Sequence, residues 1–444
     1  MFDRFTAMTR QGANPVETAG VSSGPLSSPS AAGRRVAVIG AGASGLVAAL
    51  FAARAGGRVV LLERNAEPGR KLLLTGGGRC NILPAVSADP RRFVTASSRN
   101  TLRNILGSWP LAEVRAFFET QVGLRLVEET GTGKLFPSSQ TAKEVRDRLA
   151  ALALKHGVEI RSAAKVLGLE SGPGGSAWTV RLRGRPALET DAVVLATGGL
   201  SYGATGSDGW GHERAMALGH TVRDTYPALT PLVTGDARFT GLAGISLDVT
   251  LTASVGGKKV VAEGALLFTH RGFSGPAALD ISHAATVPRA EGEGRPVIRA
   301  CWTTLTAARW DTLFRSGRGA VAGLVRGRIP ARLADVLIAH AGIEPARPVS
   351  QLRRDERRRL VEALTDFLLP WTGHDGYERA EVTGGGVALE EVSPRTLESR
   401  LCRGLFFCGE ILDAFGPIGG NNLLWAWVTG RLAGTGAAVV HDAH

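Results

Sequence analysis

At 444 residues with 44% apolar side chains, the chain has enough length for about three packed domains, which excludes a fibrous or wholly disordered protein. Its net charge of +12 suggests a polyanion partner, but only seven of the 52 basic residues are lysine, and an Arg- and Ala-heavy chain can simply reflect genomic base composition, so whole-chain charge is weak evidence. The four cysteines (Cys80, Cys301, Cys402 and Cys408) show neither CxxC spacing nor a metal pattern, and no stretch reads as a membrane span or signal peptide, which fits a reducing cytoplasm.

Residues 1–33, rich in Ser, Gly, Pro and Ala and without hydrophobic periodicity, read as a disordered tail. From Val36 the chain spells a dinucleotide-binding βαβ unit: a strand Val36-Ala37-Val38-Ile39, then Gly40-x-Gly42-x-x-Gly45, an alanine-rich helix, and Val59-Val60-Leu61-Leu62-Glu63. Gly40 permits the tight turn, Gly42 lets the backbone approach a pyrophosphate, and Gly45 lets helix and strand pack closely. The phosphates are expected on the free N–H groups of the helix start, with Ala43 and Ser44 in the same turn. Glu63, with Arg64 beside it, is expected at the ribose hydroxyls, where a 2′-phosphate would meet repulsion.

Three later segments favour FAD over NAD. Gly69-Arg70-Lys71 and Thr75-Gly76-Gly77-Gly78-Arg79-Cys80-Asn81 combine a backbone able to press on a flat ring with cations able to reach phosphates. Arg70, Lys71, Gly77, Gly78 and Asn81 are therefore expected cofactor contacts, and Val166 joins them. A buried strand then runs from Asp191 into Ala196-Thr197-Gly198-Gly199, a turn at the carboxyl ends of the strands, where ligands lie. Near the C-terminus, Leu405-Phe406-Phe407-Cys408-Gly409-Glu410 puts a carboxylate within reach of a ribityl hydroxyl, and Gly419-Gly420-Asn421-Asn422 opens a helix over Leu423 to Ala433. A helix N-terminus aimed at the pyrimidine edge of a flavin would favour its anionic reduced ring by ~0.3–1 kcal/mol, up to ~2 when partly buried.

Between these halves the pattern changes. Alternation over Leu247 to Thr252 and a hairpin-like Ser254 to Val260 argue for a small β-barrel or sandwich over about 220–300. From about 304 to 368 the period is helical, with apolar positions at Leu333, Val336 and Leu337 and at Leu360 and Leu364. Twelve arginines against five acids lie between Arg309 and Arg359, a local excess of seven positive charges. The passage Ala341-Gly342-Ile343-Glu344-Pro345-Ala346-Arg347-Pro348 resembles the helix-two-turn-helix element of formamidopyrimidine-type DNA glycosylases, where such a turn binds the nucleic-acid backbone. Arg347, Arg353, Arg354, Arg357 and Arg358 are therefore candidate RNA contacts, set against the alternative of a solvated arginine face on a capped helical hairpin.

The expected fold is α/β: a split, glutathione-reductase-like Rossmann FAD-binding domain with an inserted β-barrel and a helical subdomain. Its divisions are 34–205 and 381–444 for the FAD domain, 206–303 for the barrel, 304–368 for the helices and 369–380 for a return strand. Cys80, inside the glycine-rich loop, is placed to protonate a C=C that receives hydride, unless it is a small thiol packed against the ring. His270, before Ser274-Gly275-Pro276, is a second acid or base candidate if that helix start, with Ser274 as N-cap, holds a carbonyl or phosphate; otherwise it is a structural turn residue. No metal site is expected.

The chain as a whole resembles the BaiN/YhiN-like, or aminoacetone-oxidase-like, FAD-binding proteins. The likeness rests on GAGASG from Gly40, TGGGRCN from Thr75, ATGG from Ala196, GATGSDGWGHERAMALGHT from Gly203, FTHRGFSGP from Phe268, EVTGGGVALEEVSPRTLESRL from Glu381 and CGEILDAFGPIGGNNLLWAWVTG from Cys408. It implies FAD as resident cofactor and a substrate among those linked to the family: small amines, unsaturated steroid rings, or uridine in ribosomal RNA reduced to dihydrouridine. The chain departs from the family pattern at Ile418, Asn421, Leu424, Ile82-Leu83-Pro84 and Arg271, near the presumed flavin face. No second GxGxxG follows a strand, so NAD(P)H, if it is the electron donor, docks transiently on the flavin. Three readings follow: a reductase of an electron-poor C=C, an oxidase of a small amine such as aminoacetone, and a flavin-bearing RNA-binding protein without turnover.

Overall fold

The computed structural model describes residues 33–439 apart from 87, 173–176 and 290–293, so the expected tail lies, but for Gly33, outside the described residues. In chain order come β1 (Arg35–Ile39), α1 (Ala43–Arg54), β2 (Arg58–Leu62), α2 (Ala142–Lys155), β3 (Glu159–Arg161), β4 (Ala192–Leu195) and α3 (Trp210–Ala217). The chain continues through β5 (Val222–Ala228), β6 (Leu232–Val233), β7 (Ser246–Val255), β8 (Lys258–Thr269), β9 (Gly272–Ser274), α4 (Pro276–Ile281) and β10 (Arg299–Cys301). Four helices follow: α5 (Ala307–Ser316), α6 (Val321–Arg326), α7 (Ala331–His340) and α8 (Arg354–Thr365). Finally come β11 (Phe367–Leu368), β12 (Gly373–His374), β13 (Val382–Val387), β14 (Leu405–Phe407) and α9 (Asn421–Ala438).

A parallel sheet of order β14-β4-β1-β2-β3 carries the Rossmann fold. Strand β1 is buried from Val36 onward and β4 and β14 throughout, as a parallel sheet covered on both faces requires. Helix α1 is apolar nearly all round because it lies between this sheet and α9. The two helices meet at backbone distance: a Cβ on Gly434 would sit 2.1 Å from the Ala48 carbonyl oxygen, which is why glycine tolerates a place inside α9. That helix is longer than the sequence pattern suggests, starting at Asn421 and continuing past Ala433 to Ala438.

Two nested insertions interrupt this sheet. Strands β5 and β13 pair antiparallel as a stem, and everything from 229 to 381 lies between them. Within it, seven strands run in the order β11-β10-β7-β8-β9-β6-β12, with the Gly256-Gly257 turn joining β7 to β8. Both end strands belong to one segment, 367–374, whose Leu369 N–H reaches Ile298 O (2.9 Å) and whose Thr372 N–H reaches Val233 O (2.8 Å). The helices α5–α8 fall between the paired strands β10 and β11 and share a single apolar core with the sheet, in which Phe239, Phe268, Phe273, Trp302 and Phe367 cluster. All four cysteines are free, and no described helix is long and apolar enough to cross a membrane.

Candidate active site

The carboxyl ends of β1, β2 and β4 face a cleft of about 440 Å³ that runs from the α1 start to the α9 start. At its first end Gly40 adopts φ +99°, and a Cβ there would lie 2.5 Å from Ala196 O. A Cβ on Gly45 would lie 1.8 Å from Gly40 O, so this glycine packs helix on strand and does not line the cleft. Gly42 is different: a Cβ added to it meets nothing within 4 Å, and as N-cap of α1 it has no side-chain cap, so its turn presents unpartnered N–H groups to the cleft. Glu63 is buried at the end of β2, its Oε2 accepting from Ala41 N–H (3.0 Å) and its Oε1 from the Asn65 backbone and side-chain N–H (both 2.8 Å). Arg64 pairs with Asp208, and Arg70 donates to Asn65 Oδ1 (3.2 Å).

At the other end, Glu410 accepts from Lys71, from Ser201 Oγ (2.8 Å) and from Thr383 N–H (3.0 Å). Burial alone would raise its pKa, but the Lys71 charge and these hydrogen bonds outweigh it and hold the carboxyl below its ordinary range. Lys71, expected on a phosphate, is thus committed to Glu410 and Ser201. The Asn81 amide, oriented to satisfy both neighbours, accepts from Gly420 N–H (3.0 Å) and donates to Leu83 O (3.3 Å), tying the glycine-rich loop to the α9 start. Gly420, at φ +87°, is the N-cap of α9 and has no side-chain cap bond.

Of the expected cofactor contacts, all but Gly45, Gly78, Gly409 and Asn421 line this one cleft. Gly409 lies against Ser44, and the buried Asn421 side chain braces its own loop by donating to Pro417 O (3.2 Å). Residues not singled out from the sequence also line it, namely Asn65, Lys134, Phe136, Glu381 and Phe415, and so does Ile418, one of the positions that depart from the family pattern. The chemistry fits a dinucleotide: a cradle at Gly42 that a side chain would fill, a helix start for phosphate, and an acid fixed at the end of β2 for ribose.

The structure places both candidate catalytic groups outside the cleft lining. Cys80 is fully buried at φ +63° behind the loop, outside the cleft lining, and burial pushes its thiol up to about 12 despite a Thr75 hydrogen bond. Cys80→Ala is therefore expected to keep its turnover with FAD bound, short of the roughly 100-fold loss that removing a general acid brings; a loss of that size in steady-state kinetics would restore the acid role. His270 is exposed in the tight turn between β8 and β9, away from the cleft lining. The nearby helix start also differs: Ser274 ends β9, Gly275 is the N-cap at φ +85°, and Pro276 is the first helical residue.

Residues 34–436 match the family model described as HI0933-like protein Rossmann domain. The chain belongs to the HI0933-like family. As a member it is an FAD-dependent oxidoreductase with a Rossmann-type α/β fold. It is 33% identical over 413 residues to the 3-dehydro-bile acid delta(4,6)-reductase of Clostridium scindens, covering 91% of this chain and 99% of that one. It is 32% identical over 405 residues to the ribosomal RNA dihydrouridine synthase of Escherichia coli K12 (88% and 94% covered) and 30% identical over 412 residues to that of Haemophilus influenzae (88% and 95%).

Outside the cleft, this HI0933-like chain divides the five candidate RNA arginines into two sets. Arg347 (2.8 Å) and Arg353 (3.1 Å) both donate to Glu356, a buried acid that also accepts from Arg353 N–H and so caps α8. Arg357 reaches Asp311 (3.3 Å). Their charge is spent holding the helices together. Arg354 and Arg358, one turn apart on α8, are exposed and have no acid partner among the described residues.

Proposed function

We propose that this oxidoreductase is an NAD(P)H-driven reductase of an electron-poor C=C, with uridine in ribosomal RNA as its substrate and dihydrouridine as its product. The observation that carries the reading is the continuous cleft between two helix starts without side-chain caps, suited to one extended dinucleotide. In it the Gly42-Ala43-Ser44 turn holds the pyrophosphate, Glu63 the ribose, and Val166 with Ala196, Thr197 and Gly198 the walls beside them. Bound FAD supplies the hydride chemistry, and the protein supplies orientation and protons. The α9 start favours negative charge on the reduced ring.

The names of the relatives support reduction of an unsaturated carbon, one on a steroid and two on ribosomal RNA. In this reading the seven-stranded sheet is the expected barrel-like unit, and the helices over 304–368 hold RNA through Arg354 and Arg358. Neutralising those two to Gln is expected to weaken RNA binding and lower its log–log salt slope by about 1.5, with FAD content unchanged. An unaltered slope would remove the helices from the RNA reading.

Anaerobic mixing tests the activity: rapid bleaching of the FAD by NADPH is expected, together with loss of a dihydrouridine from the ribosomal RNA of a deletion strain, read by nucleoside mass spectrometry. Bleaching by aminoacetone instead would establish the amine oxidase. RNA binding without any bleaching would leave a flavoprotein without turnover.

A further inference from the structure

A reductase needs an acid as well as a hydride donor, and neither Cys80 nor His270 lines the cleft. Among the described carboxyls lining the cleft, Glu63 is held by Ala41 and Asn65, Asp208 is paired with Arg64, and Glu410 is locked as an anion by Lys71, Ser201 and Thr383. Glu381 alone among them has a side chain without a hydrogen-bond or ion-pair partner, and it opens onto the cleft. Its backbone is fixed at the entrance to β13 by Glu381 N–H donating to Leu229 O (3.2 Å). The apolar groups around that part of the wall, Val382, Phe415 and Ile418, are suited to a flat ring.

We propose that Glu381 is the catalytic acid of this site, an inference that rests on the reductase reading above. When one carbon of a substrate C=C receives hydride, and with it two electrons, the π pair moves to the neighbouring carbon. That carbon takes the Glu381 proton, the C=C becomes a single bond, and the carboxylate recovers a proton from water in the cleft. The nicotinamide coenzyme is the source of the reducing equivalents.

The charged surroundings agree with a proton store. Glu381 is exposed to the cleft, yet the protein packed around it partly desolvates its carboxyl and lifts it above the ordinary range, while Lys71 and Lys134 pull it back. Asp280, on α4, also faces it: the two carboxyls repel, and the Asp280 side chain is pinned by Ile418 N–H (2.7 Å). Tyr202 also lies within electrostatic reach of Glu381. Protonation of Glu381 is therefore lost as pH rises through its raised value, and the proton-delivering step slows with it.

The test uses the FAD-loaded protein and two readouts. In infrared difference spectra between acid and neutral pH, wild type is expected to show a protonated-carboxyl band that Glu381→Gln removes; the separate Asp280 band is assigned with Asp280→Asn. In the second, dithionite-reduced enzyme is mixed anaerobically with cyclohex-2-en-1-one or with ribosomal RNA from a deletion strain. Reoxidation should fall at least about 100-fold in Glu381→Gln, while Glu381→Asp recovers part of the rate, both with wild-type FAD content. A band that persists in Glu381→Gln, or a variant that reoxidises as fast as wild type, overturns the proposal. If Glu381→Gln does not fold, Glu381→Asp decides: a band unmoved in position and pH response overturns the proposal. A wild type inert to both substrates overturns the reductase reading and the acid role with it, an outcome distinct from an active wild type whose Glu381→Gln variant is equally active.

Discussion

A Gly42→Ala variant should fold with wild-type stability and emerge nearly colourless. The Gly42 backbone sits at φ −73° and ψ −170°, which alanine adopts without strain, and the added methyl group meets no protein atom within 4 Å. It enters only the space where a pyrophosphate must approach the α1 N–H groups, so FAD affinity is expected to fall about 100-fold, ~2.7 kcal/mol. Gly45→Ala makes the contrast, because its methyl would lie 1.8 Å from Gly40 O and must displace the turn itself, at a cost of about 3 kcal/mol or more in stability. Equilibrium unfolding of the apoprotein and titration with FAD separate the two effects. A Gly42→Ala protein that binds FAD as tightly as wild type would remove the cradle from the proposed site.

The second large effect concerns pH. Asp280 has a side chain only 11% exposed, and desolvation pushes its carboxyl up to about 6, against hydrogen bonding from Ile418 N–H and the Arg92 charge. A carboxyl raised in the folded state stabilises the fold most while it is protonated. That contribution is complete below the unfolded value near 3.8 and is lost as pH rises through about 6. The shift of about two units corresponds to ~3 kcal/mol. Wild type should therefore lose up to about that much relative to Asp280→Asn between pH 4 and pH 7, because the amide keeps an oxygen for Ile418 N–H and carries no charge to bury. Chemical denaturation of both proteins across this range measures the difference, and parallel curves would show that the Asp280 charge is relieved some other way.

The first end of the cleft was legible because its chemistry is local. Strand, glycine turn, helix and Glu63 lie within thirty residues, and each constrains its neighbour in sequence. The other end was legible only in part. Glu381 and Val382 reach the cleft because β5 pairs with β13 across some 150 residues, and nothing in the local pattern marks Glu381 as the carboxyl left without a partner. Cys80 shows the opposite failure, since a residue inside a cofactor loop can still turn its side chain into the core at a positive φ. The excess charge over 309–359 is plain in the sequence, but only the fold separates Arg353 and Arg357, which lean on Glu356 and Asp311, from Arg354 and Arg358, which face outward.

The nested stems have an evolutionary consequence. The helices α5–α8 leave from β10 and return into β11, its direct antiparallel neighbour, so their two ends emerge side by side. Shortening that excursion to a tight loop, or exchanging it for another, need not break a rung of the surrounding sheet, although it must replace the apolar face the helices cover. Surfaces that meet different molecules can thus be swapped over a constant oxidation–reduction core, which is one route by which a single ancestral scaffold diversifies its clientele.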